Sequence, residues 1–286
     1  MDAKQQVSRA MCEAVSRTSI GDANDIAAKY DLSIEQTWRA PYGEGCRVMA
    51  FRSVMGAERD GLVIAFRSTF GGREWCQNFE GYFVDLVPHD GEEPGTDKLL
   101  YAAWSEAVGE VWNEPGDTTN KTGTLREMIW RQLNASKSVW LVGHSRGGAV
   151  ATAAAARLLL GDSVDDTDFP DQDVAGSRAR TLSATGSPLS RLSVFTFNAP
   201  KSFARPLAEA YDAALVDVGA EHVRFEHRAD RLRKAPPGRG LAHVGEKKLQ
   251  GGRILENPGV KAGGWIMIVG GILTISFVAS SMIKNH

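Results

Sequence analysis

An α/β fold, with a mostly parallel sheet and helices on both faces, is predicted by three observations on this 286-residue sequence. Buried-strand patterns recur at 62–67, 139–142 and 192–197. From about residue 137 onward such strands alternate with helical patterns, which builds a parallel sheet. The run at 139–142 stops at Gly143-x-Ser145-x-Gly147 and is followed by an Ala-rich helical stretch, 149–160.

The elements follow in order. Residues 2–17 carry Val7, Ala10, Met11, Ala14 and Val15 at helical spacing. Residues 22–30 read as a short helix with Asp22 as its cap. The stretch 46–54 alternates as a strand, and turn chemistry at Arg59-Asp60-Gly61 pairs it antiparallel with 62–67. A helix is expected over 97–112, broken by Glu114-Pro115-Gly116, and another over 124–133. The insert 161–190 is polar and rich in aspartate. It lacks the glycine and closing glutamate of a calcium loop, so no metal is expected there. After the strand at 192–197 come a helix, 203–216, and a strand, 223–227. Without internal repeats or a long linker, residues 1–258 make one domain.

Composition narrows the class. The net charge of −2 gives no reason to expect a nucleic-acid partner. Cys12, Cys46 and Cys76 are scattered, with no metal spacing and no disulfide framework, which fits a reducing compartment. The polar N-terminus has no apolar signal region behind it. Residues 262–283 carry no charge, are long enough to span a bilayer, and are flanked by Lys261, Lys284 and Trp265. A C-terminal transmembrane helix is therefore expected, with the rest of the chain on the cytoplasmic side. A buried core segment is the alternative, but Gly263, Gly264, Gly270 and Gly271 suit a soluble helix poorly.

The chemistry centres on Ser145. Strand, glycine-flanked serine and helix form the context of a nucleophile elbow. The sharp turn lifts the serine hydroxyl above the sheet and leaves it at a helix N-terminus, where developing negative charge is favoured. The N–H of Arg146 is the first candidate oxyanion donor. Thr69, at the end of the strand 62–67, is the second, because polar residues there sit where α/β sheets bind ligands. A serine nucleophile needs a base and an orienting acid, in the chain order Ser, acid, His. His222 and His227 bound a strand and either suits a structural role. His243, in an exposed loop among small residues after the last core strand, is the best-placed base. Asp230, directly after a strand, is the best acid, ahead of Asp212 and Asp217. Such a set would transfer acyl groups from an ester without a cofactor or metal.

Together these blocks resemble the class 3 lipases, α/β hydrolases of the fungal triacylglycerol lipase type. The resemblance rests on Val63-Ile64-Ala65-Phe66-Arg67-Ser68-Thr69, on Val142-Gly143-His144-Ser145-Arg146-Gly147-Gly148-Ala149, on Phe195 to Lys201, and on Asp230 followed by Gly240-Leu241-Ala242-His243-Val244-Gly245. It implies an α/β-hydrolase fold, a Ser145–Asp230–His243 triad, Thr69 as side-chain oxyanion donor, and a lid from Phe70 to about His89 over a lipid cleft. Phe70, Trp75 and Phe79 would face that cleft. The chain departs from the family pattern in three places. Ser68 stands where glycine is usual, Arg146 where leucine is usual, and Arg231-Leu232-Arg233-Lys234 where an apolar run is usual. The last two would set cations near the mouth and suit an anionic lipid. The expected activity is a membrane-anchored lipase or phospholipase. An esterase or acyltransferase for soluble esters and an inactive tail-anchored scaffold are the other readings. Nothing in the sequence bears on oligomeric state.

Overall fold

A computed structural model of the chain describes residues 2–17, 19–39, 46–53, 61–69, 83–85, 99–116, 123–161, 186–227, 241–250, 268–269 and 272–273. The elements are α1 (Ala3–Val15), α2 (Ile20–Ala28), β1 (Leu32–Arg39), β2 (Cys46–Ser53), β3 (Leu62–Phe66), β4 (Phe83–Asp85), β5 (Leu99–Tyr101), α3 (Ala102–Trp112), α4 (Leu125–Asn134), β6 (Val139–His144), α5 (Arg146–Ala156), β7 (Leu192–Phe197), β8 (Phe203–Ala204), α6 (Arg205–Val218), β9 (Glu221–His227), β10 (Leu241–Ala242) and β11 (Glu246–Gln250). The seven-stranded main sheet runs β1-β2-β3-β6-β7-β9-β11. β1, β2 and β3 pair antiparallel. From β3 onward every neighbour is parallel.

Alternation along the strands divides the core into two layers. Leu62, Ile64, Phe66 and Leu141 face the layer formed with Trp104, Val108, Ile129 and the alanines of α5. Val63, Ala65, Val142, Phe195 and Phe225 face Met11, Ala14 and Val15 of α1. The helix α5 is buried along its whole length. Its alanines carry no bulk, so it lies tight on the sheet beneath the elbow, and it continues into a π-helical turn, Arg157–Gly161. Helix α4 begins with a full capping box, in which Thr124 and Glu127 each satisfy the other's backbone N–H.

Several expectations shift. Helix α2 starts two residues early, because Ser19 accepts the Asp22 N–H and takes the capping role assigned to Asp22. The stretch 97–112 opens as strand β5 and only then becomes α3. Together β4, β5, β8 and β10 form a second, four-stranded sheet. Strand β1 was not anticipated. The segment holding His243 lies between β10 and a further strand, β11, that was not expected. Among the described residues no helix is long and apolar enough to cross a membrane. The expected span at 262–283 lies outside them except for Ile268–Val269 and Ile272–Leu273, which pair as two short antiparallel strands.

Candidate active site

Ser145 sits at the C-terminal end of β6, in the middle of the main sheet, as the N-cap of α5. Its backbone stands at φ 52, ψ −126, a combination open to glycine and costly for a residue with a Cβ. The surroundings hold it there. Its N–H donates to the Phe197 carbonyl of β7 at 2.9 Å, and its own carbonyl accepts from Gly148 N at 2.9 Å. The flanking glycines exist for close approach. A Cβ on Gly143 would lie 2.2 Å from the Gly147 carbonyl oxygen, and one on Gly147 would lie 2.2 Å from the Phe66 carbonyl oxygen. The elbow therefore packs directly against the end of β3, which leads to Thr69. Gly147→Ala is expected to push β3 and α5 apart, at about 2–3 kcal/mol. Gly186→Ala, whose Cβ would meet nothing within 4 Å, is the control. Urea denaturation checks the difference, and equal midpoints would contradict the packing argument.

The end of β3 is buried. Arg67, Ser68 and Thr69 are 8%, 3% and 2% exposed. The Ser68 hydroxyl donates to the His144 carbonyl at 2.8 Å. It also lies 3.0 Å from His144 Nδ1. His144 is buried, which, together with the positive field of Arg9, lowers its pKa to about 4. It is therefore neutral at pH 7, and with the hydroxyl proton committed to the carbonyl, Nδ1–H donates to Ser68 Oγ.

The first helical residue, Arg146, offers its N–H at the helix start. Its side chain is buried, contrary to the expectation of a cation near the mouth. It lines a small pocket with Arg47, Arg67, Val48, Phe66, Ala107 and Val150.

On the next strands, Asn198 takes φ 50, a conformation asparagine tolerates well. It donates its N–H to the Phe225 carbonyl at 2.8 Å. Its side-chain oxygen accepts the His227 N–H at 2.7 Å. This clamps the end of β9, three residues before Asp230. Asp230 itself, with Phe70, Trp75 and Phe79, lies outside the described residues, as does most of the acidic insert. Among the described residues no group of acidic, histidine or cysteine side chains could hold a metal ion.

His243 lines a small cleft with Thr152, Thr196, Ala199, Ser202, His222 and Arg224. The segment around it is not exposed. Arg224 Nη1 donates to the Val244 carbonyl at 2.9 Å, and Asp212 accepts the Gly245 N–H at 2.9 Å. These bonds pin the loop to β9 and α6. Burial raises the Asp212 pKa, and the Gly245 N–H and Arg224 partly offset that rise. His222, fully buried, has its pKa lowered to about 3 by burial, with Arg224 and His243 adding to it. Its ring bridges Tyr211 Oη and Thr196 Oγ1, which is a structural role.

A family model described as lipase (class 3) matches residues 63–239. The chain belongs to the class 3 lipase family. Solved structures agree on the fold. A deletion mutant of the Rhizomucor miehei lipase propeptide complex is 21% identical, with a TM-score of 0.56 over 86% of this chain and 65% of that one. The lipase of Rhizopus microsporus var. chinensis is 18% identical, with a TM-score of 0.58 over 86% of this chain and 73% of that one. Lipase II from Rhizopus niveus is also 18% identical, at 0.58, covering 86% and 79%. A search of curated proteins finds no match.

For a class 3 lipase the features sequence reasoning missed are Ser68, His144 and Asn198. Ser68 was visible only as a departure from the usual glycine. An asparagine directly after a buried strand was the available sign of a left-handed turn at 198.

Proposed function

We propose that this protein is a serine ester hydrolase acting on glycerolipids. The apolar stretch 262–283 holds it at a bilayer, and the hydrolase part lies on the cytoplasmic side. The observation that carries the reading is the backbone of Ser145. A residue with a Cβ is kept in a glycine-like conformation, at a helix start, at the C-terminal edge of the parallel sheet. Strain of that kind is kept where it serves a site.

In the reaction, Ser145 Oγ attacks the ester carbonyl and the developing oxyanion accepts hydrogen bonds from the Arg146 N–H and from Thr69. Each such donor is worth on the order of 10²–10³ in rate. The alcohol leaves, and water then releases the fatty acid from the acyl-enzyme. Asp230, following β9, orients the imidazole that moves the proton. With His222 and His144 buried in structural roles, the base is His243. The other readings are an esterase or acyltransferase for soluble esters and an inactive scaffold.

Two measurements separate these readings. A fluorophosphonate probe should label the wild-type protein, and His243→Ala should abolish labelling while leaving the melting temperature in place. Absence of wild-type labelling would establish the inactive scaffold. Hydrolysis of vesicle or emulsion glycerolipids should exceed that of a monomeric short-chain ester, and a preference for the soluble ester would point to the esterase reading. The basic run Arg231, Arg233, Lys234 and Arg239 favours an anionic head group. Faster hydrolysis of triacylglycerol than of phosphatidylglycerol would remove that part of the proposal.

A further inference from the structure

We infer that Ser68 is a positioning residue, tying the strand that carries one oxyanion donor to the elbow that carries the nucleophile and the other donor. The inference rests on the proposed hydrolase reading and goes beyond it, because the class 3 pattern usually has glycine here, which could make no such tie.

The geometry places the two halves of the oxyanion site on different elements. Thr69 follows β3, whereas Ser145 and Arg146 follow β6. Backbone pairing between these strands ends at Phe66 and Gly143. Beyond that level Ser68 adds a side-chain tie across the junction. Its hydroxyl donates to the carbonyl of His144, the residue before the nucleophile. The same oxygen lies 3.0 Å from Nδ1 of that residue, and with its proton on the carbonyl it accepts from the Nδ1–H tautomer. Both ends of the tie are buried, at 3% and 8% exposed. With two bonds on one oxygen, Ser68 fixes the height of the 67–69 segment against the elbow and sets the His144 ring in one tautomer. Among the described residues buried His144 Nε2 has no hydrogen-bond partner, so the ring is oriented from the Ser68 side.

The test compares Ser68→Ala, Ser68→Gly and Ser68→Thr in the full chain, with a soluble p-nitrophenyl ester and a fluorophosphonate probe. Loss of the hydroxyl should lower kcat and the labelling rate between ~10- and ~100-fold, since a misplacement near 1 Å costs on that scale. KM should stay within a factor of about two, because the tie acts in the transition state. Threonine, which keeps the hydroxyl, should recover most of kcat. Nitrogen chemical shifts of His144 give a second readout: the Nδ1–H tautomer should dominate in the wild type and give way in Ser68→Ala. Wild-type kcat in Ser68→Ala, or a loss of kcat with the His144 tautomer unchanged, would overturn the inference. If the wild-type protein neither turns over nor labels, the hydrolase reading fails on its own. The tautomer comparison still decides whether Ser68 holds the elbow.

Discussion

Ser145→Ala is expected to abolish ester hydrolysis, by at least ~10⁴-fold, and to abolish fluorophosphonate labelling with it. Removing a serine nucleophile leaves only the contribution of the oxyanion donors and of binding. The stability result is the more telling half. Alanine keeps a Cβ at φ 52, ψ −126, so Ser145→Ala should melt close to wild type. Ser145→Gly removes the Cβ and relieves strain of about 1–3 kcal/mol, part of which is returned as the entropy cost of ordering glycine. A gain near 1 kcal/mol for glycine over alanine is expected by urea denaturation. Equal stability of the two variants would mean that the elbow stores no strain.

The second large effect is on acid stability. His144 and His222 are held neutral by burial, with pKa values lowered to about 4 and about 3. Unfolded, both titrate near 6.5. Between these limits the unfolded chain binds more protons than the folded one, so the unfolding free energy rises with pH. It follows that stability is at its full value above about pH 6.5 and falls as the pH drops toward 4, by about 1.4 kcal/mol per pH unit for each histidine. Below about 4 only His222 still contributes, down to about 3. Denaturation at pH 7.5, 6 and 5 should show this slope, and replacing either His144 or His222 by glutamine should reduce it. Parallel slopes in wild type and both variants would count against the burial argument.

The fold and the nucleophile were readable because they depend on local signals. A run of apolar residues stopping at Gly143, a serine, two glycines and a row of alanines can satisfy only a few backbone geometries, and the elbow is one of them. The packing around His243 was not readable in the same way. His243 lies among small residues, and small residues suggest an open loop. Here they serve packing: the carbonyl of Val244 and the N–H of Gly245 are taken up by Arg224 and Asp212, from β9 and α6. That information lies in contacts between segments 20 and 33 residues apart. The strand β11 was missed for a related reason. Glu246-Lys247-Lys248-Leu249 looks like a solvated run, yet as an edge strand it needs to bury little, and Lys247 pairs with the buried Glu226 beneath it. The burial of Arg146 followed from neither its charge nor its neighbours in sequence.

That edge strand also governs how the chain leaves the sheet. β11 runs parallel to β6 and ends at Gln250, level with His227 at the end of β9. The backbone thus departs from the same rim on which Ser145 stands. Eleven residues, 251–261, separate it from the apolar stretch, a leash of at most about 40 Å when fully drawn out. If that stretch is in a bilayer, the nucleophile is confined to a shallow layer over the lipid surface with its open rim on the tethered side. Every substrate molecule within that radius is then a neighbour in the plane, and the rate is set by surface density in place of bulk concentration.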